Sequence, residues 1–144
     1  MRKLACYLAA AILVLPAVSL AQDVKPEQVV RPANASPAPK LSLAELLKRG
    51  ELLFSDKRLS KNDQSCATCH ANYEGYNDTF KQAYPHPVAM TTEMLKLGPV
   101  NAETMVQFCL MAPMEAPALP WDSPDLAALT AYVEKIREEY AKRK

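Results

Sequence analysis

The chain has 144 residues, 49% of them apolar, which is enough for one small core and argues against a fibre or a wholly disordered polymer. Its 17 basic and 16 acidic residues nearly cancel, leaving a formal charge of +1. That balance excludes a basic footprint for nucleic acid.

The first residues read as an export address. Arg2 and Lys3 precede an apolar run from Leu4 to Ala21 that closes on Ser19 and Ala21 before Gln22. The pattern predicts a signal peptide over residues 1–21, cut after Ala21, and an exported, periplasmic product. Left uncut, the segment would anchor the chain, because about 18 apolar residues approach the length that spans a bilayer. Cys6 leaves with the signal. Cleavage leaves 15 basic against 16 acidic residues and three cysteines, Cys66, Cys69 and Cys109. In an oxidising compartment an odd thiol needs a reason.

Residues 22–40, QDVKPEQVVRPANASPAPK, hold four prolines and no large apolar side chains except valines. This composition predicts a proline-rich linker with no part in the core, and a folded domain over residues 41–144.

Three helical patterns follow. In SLAELLKRGELLF, Ser42 and Glu45 have capping-box spacing, and Leu43, Leu46, Leu47, Leu53 and Phe54 share a face. Gly50 inside that pattern costs about 1 kcal/mol against alanine, which points to close approach of another backbone. In NAETMVQFCL, Asn101 can cap a short helix whose apolar face carries Ala102, Met105, Val106, Cys109 and Leu110. The last, SPDLAALTAYVEKIREEY, opens with Ser123 as cap and Pro124 in the first helical position. No long alternating run signals a strand, so the expected fold is all-α with long loops, residues 71–99 being irregular.

Inside SCATCHANYEGYNDTF stand Cys66, Cys69 and His70. Cys-x-x-Cys-His is the attachment signature of haem c: two thiols form thioethers with the vinyl groups, and the adjacent histidine supplies an axial nitrogen to iron. One helical turn puts both thiols on one side and displaces His70 enough to reach the metal. A redox Cys-x-x-Cys would want a βαβ setting and has no need of His70. Zinc would need four ligands, with Cys109 and His86 conscripted, and adjacent Cys69 and His70 suit a tetrahedron poorly. One covalent haem also supplies apolar core that a chain this small lacks, and gives the long loop something to wrap.

These residues resemble known families. Gly50, Phe54, the haem motif and LAALTAYV look like a class I c-type cytochrome. The resemblance implies helices wrapped around one haem, the first and last crossing where Gly50 or Phe54 meets Leu129 and Tyr132. GELLFSDKRLSKNDQSCATCH is similar to the first haem segment of bacterial di-haem cytochrome c peroxidases. Those enzymes carry a second haem motif, and this chain has one, so peroxidase activity is not implied. YPHPVAM and the run from Cys109 to Val133 look like the haem domain of SoxA, a subunit of thiosulfate-oxidising complexes. That likeness implies a cysteine ligand at Cys109, but Met105 stands where the family has an arginine one turn earlier.

The sixth ligand therefore has several candidates. Class I cytochromes use a methionine ahead of the final helix, and Met114 fits best, following Pro113 in APMEAPALPW 18 residues before Tyr132. Cys109 is the alternative, with Met111 and His86 behind it. Cys109 also reads as a buried, inert side chain. His86 between two prolines reads as a loop residue near a propionate or as an axial ligand, and Trp121 as a packing anchor or a neighbour of the haem. The expected function is single-electron transfer, as a carrier rather than an enzyme, between redox proteins that dock transiently. The alternatives are a SoxA-like haem-thiolate subunit of a sulfur-oxidising complex, and a haem sensor with an open iron position.

Overall fold

A computed structural model describes residues 23–143; the expected signal peptide lies outside the described residues. The described residues form six α-helices, in chain order α1 (Pro26–Val29), α2 (Leu43–Phe54), α3 (Cys66–His70), α4 (Ala89–Leu95), α5 (Ala102–Met111) and α6 (Pro124–Ala141). Single 3₁₀ turns at Lys57–Leu59, Ala71–Tyr73 and Asp78–Lys81 join them. Among the described residues there is no strand, only an isolated antiparallel bridge between His86 and Val100. Nor is any described helix long and apolar enough to cross a membrane. The all-α expectation holds.

The three long helices start where their caps predict. Ser42 Oγ accepts from the Glu45 amide at 3.3 Å, while the Glu45 carboxylate accepts from the Ser42 amide at 2.9 Å. Asn101 Oδ1 accepts from the Thr104 amide at 2.8 Å, and Ser123 Oγ from the Leu126 amide at 3.2 Å. Each satisfies an N–H that the helix itself leaves unpaired.

Helices α2 and α6 cross at Gly50. A Cβ there would run into the Ala128 carbonyl oxygen and lie 2.5 Å from Tyr132 Cβ, so only glycine lets the backbones approach this closely. Phe54 meets the Tyr132 ring edge-on, centroids 5.4 Å apart. Leu126, Leu129, Leu110, Val106 and Phe80 fill the core beneath this crossing.

Two expectations need correction. The segment expected to be a linker is folded over its first half: Val24 and Val29 are buried against Phe108, Met111 and Leu95 in a second apolar cluster. Arg31 then locks the strap down, its Nε and Nη2 donating to both Glu103 oxygens at 2.9 and 2.7 Å and Nη2 also to the Trp121 carbonyl at 2.6 Å. Two valines suffice because α5 offers them a preformed apolar face; composition alone does not see that face. Pro32 to Lys40 remain largely exposed, as a spacer should. The folded unit thus begins by Val24 rather than at Leu41. The second correction is α4, a helix inside residues 71–99 that has no side-chain cap at Val88 and stops at Lys96 in the left-handed conformation.

Candidate haem site

Helix α3 is one turn long and owes its start to reciprocal bonding. The Ser65 amide donates to Thr68 Oγ1 at 2.9 Å, and Ser65 itself is buried. The turn sends Cys66 inward and leaves Cys69 exposed, both as free thiols. Burial, with Cys69 adding to it, pushes the Cys66 thiol up to about 11.

His70 is oriented by the turn that comes after it. Its Nδ1–H donates to the Glu74 carbonyl at 3.0 Å, which fixes the tautomer and leaves Nε2 with its lone pair. Burial lowers the proton affinity of the ring, the Glu74 carbonyl opposing it, so the imidazole is neutral as metal binding requires. Gly75 makes that turn possible: its φ is +70°, and a Cβ would lie 2.8 Å from the Cys69 carbonyl and 3.2 Å from His70 Nδ1. The Tyr76 ring stacks on His70 at 4.3 Å and on Phe80 at 3.9 Å.

Two adjoining cavities, of about 150 and 360 Å³, open beside this turn. Cys66, His70, Gly75, Met90 and Cys109 line both. The smaller runs on to Tyr84 and His86, the larger to Cys69, Pro113 and Met114.

The sixth-ligand candidates are thereby sorted. Met111 is buried in the second apolar cluster and lines neither cavity. Met114 is 3% exposed and lines only the larger one. Its loop is well held: the Met114 amide donates to the Cys109 carbonyl at 3.2 Å, and buried Gln107 clamps Leu119 through both its amide groups at 2.7 and 2.9 Å. Cys109 is half-buried and lines both cavities. Burial, with Cys66 and Cys69 adding, pushes its thiol up to about 12. His86 lines the smaller cavity alone. Trp121 lines neither; its carbonyl holds Arg31, whose guanidinium carbon sits 5.4 Å from the indole centroid.

Three contributors were not legible as site residues: Gly75, Tyr76 and Met90. Gly75, one of only three glycines and five residues after His70, carried the one usable signal. The zinc alternative finds no cage, since no three His, Cys, Asp or Glu side chains gather as a metal site among the described residues.

The residues present fit a covalent haem. Two thiols and an oriented, neutral histidine share one turn, a glycine keeps that turn clear of a Cβ, and largely apolar walls surround a buried sulfur. Comparison with known proteins agrees: the SoxA/TsdA, cytochrome c domain family matches residues 49–139. That match carries the SoxA likeness and does not bear on the peroxidase-like run. No curated protein and no solved structure matches the chain. A cytochrome c domain implies covalently bound haem c and work with redox partners. With the match spanning most of the folded region, from the middle of α2 nearly to the end of α6, the chain belongs to the SoxA/TsdA cytochrome c domain family.

Proposed function

We propose that the protein is an exported, single-haem c-type cytochrome that passes electrons one at a time between redox proteins. The carrying observation is the common wall of the two cavities, where Cys66, His70 and Cys109 meet. The sequence holds one Cys-x-x-Cys-His, hence one haem, and its N-terminal pattern supports export. Bound there, haem supplies an iron that cycles between two valences.

Cys66 and Cys69 would hold the group covalently, and His70, with Nδ1 engaged by the Glu74 carbonyl, would offer Nε2 to its iron. For the sixth position Cys109 takes precedence over Met114, because Cys109 lines both cavities with His70 whereas Met114 lines one. Tyr76, stacked in turn on Phe80, covers one face of the His70 ring. A nearly balanced charge suits brief encounters with partners, since strong complementary fields would slow release.

Family membership and Cys109 also favour a second reading, a haem-thiolate subunit of a sulfur-oxidising complex. Met105 counts against it: it lines the smaller cavity one turn before Cys109 and offers a thioether where an anionic sulfur substrate would want a cation.

Optical and electron-paramagnetic spectra of the oxidised wild type, Cys109→Ala and Met114→Ala test the assignment. Spin signals that change with Cys109→Ala and survive Met114→Ala are expected. A weak far-red sulfur-to-iron band that disappears only in Met114→Ala would return the sixth position to Met114.

A further inference from the structure

His86 is an anomaly among the polar side chains. It is 2% exposed, and neither Nδ1 nor Nε2 finds a hydrogen-bond partner. Burying an imidazole this way forfeits its bonds to water without replacement, a cost folded proteins avoid unless the group has other work. Of the other polar groups on the same cavity, Asn77 and Thr79 satisfy each other at 2.6 Å.

The fold also holds His86 rigidly. Its amide donates to the Val100 carbonyl at 3.1 Å and its carbonyl accepts from the Val100 amide at 3.0 Å. Pro85 and Pro87 flank it, and its ring stacks on Tyr84 at 4.2 Å. A ring pinned by backbone, neighbours and stacking, with both polar atoms free and the cavity before it, is organised in advance for a guest.

The guest's chemistry follows from where the cavity is anchored. Thioethers at Cys66 and Cys69 fix the vinyl edge of a haem, and its two carboxylates lie on the opposite edge of the macrocycle. Cys69 lines only the larger cavity, and Tyr84 and His86 only the smaller, so His86 stands apart from the Cys69 attachment point within the joint space. Arg137 and Glu134, paired at 3.1 Å, lie close enough for both charges to be felt at His86 and Tyr84.

We propose that His86 is the hydrogen-bond donor that receives a haem carboxylate, on a wall shared with Tyr84, and that it is not an iron ligand. This rests on the haem reading above. Burial lowers the proton affinity of His86, the nearby Ala83 and Gln82 carbonyls opposing it, and a neutral imidazole still carries one N–H to give. The bond disperses the carboxylate's negative charge; without it the full charge favours ferric iron, and the reduction potential falls.

The test uses haem-loaded wild type, His86→Gln, which keeps a donor, and His86→Phe, which keeps a ring without one. Intact mass first establishes covalent haem; a wild type without it overturns the haem reading and this inference together. In loaded protein the propionate bending mode in resonance Raman spectra should shift between water and deuterium oxide, a wild-type measurement that stands even where a variant fails to load. His86→Phe should lose that isotope shift and lower the potential, with His86→Gln restoring most of both. A wild-type mode insensitive to deuterium, or a potential unchanged in His86→Phe, overturns the proposal while leaving the haem reading intact. So does an oxidised His86→Phe that turns high-spin, which would make His86 the axial ligand.

Discussion

Val29→Ala tests whether the N-terminal strap belongs to the folded unit. Val29 is fully buried against Phe108, Met111 and Leu95. The change removes two methyl groups, at about 0.8 kcal/mol each in transfer free energy. The cavity adds a further term because helices pinned by their caps collapse only in part, bringing the total to about 2 kcal/mol. At roughly 3–6 °C per kcal/mol for a chain of this size, the melting temperature should fall by about 6–12 °C. Thermal melts of the haem-loaded protein, followed by circular dichroism in the far ultraviolet, give the number. As control, Pro32 to Lys40 replaced by glycine and serine at equal length should stay within about 0.5 kcal/mol of wild type, since that stretch is largely exposed. A Val29→Ala melt within about 2 °C of wild type would refute the argument, because a residue that packs in the core cannot lose its methyl groups so cheaply.

Gly75→Ala should impair haem loading and disturb the low-spin spectrum of whatever loads, since φ is +70° and the new Cβ presses on the Cys69 carbonyl and His70 Nδ1; a normal spectrum would show the turn to be more forgiving. Gln107→Leu leaves the Leu119 amide and carbonyl without their partners, a loss of about 2–4 kcal/mol, read as a lower urea midpoint with unchanged slope. Asp56 predicts a pH dependence. Its side-chain bond to Arg58 holds the carboxyl at about 2, so its contribution is present above the ordinary carboxylate range and is lost as pH falls toward 2. Asp56→Asn should therefore weaken stability near neutrality and match wild type in strong acid, by a small margin because the pair is solvent-screened.

What the sequence disclosed and what it hid divide along a physical line. Caps at Ser42, Asn101 and Ser123 act through bonds three residues away, and the Cys-x-x-Cys-His motif acts within one turn, so a short window contains the whole cause. Gly50 was legible as a close approach, and its contact proved to be with Ala128 and Tyr132, while Leu129 went to the core beneath. The strap at Val24 and Val29 depends on a face of α5 some eighty residues away, which no local pattern encodes. Helix α4 lacks a capping residue and carries β-branched Thr91 and Thr92, so neither its start nor its propensity announces it. Met90 joins the cavities only because that helix forms. His86 was visible as a residue of interest, but its burial without partners is a property of the assembled wall.

The central claim is a single covalent haem whose iron exchanges one electron at a time. Spectroelectrochemical titration of the matured protein tests it most directly, with absorbance of the reduced haem band followed against applied potential. The account predicts a single reversible wave with one-electron slope that accounts for one haem per chain. No reversible wave, or two waves from one chain, would contradict it.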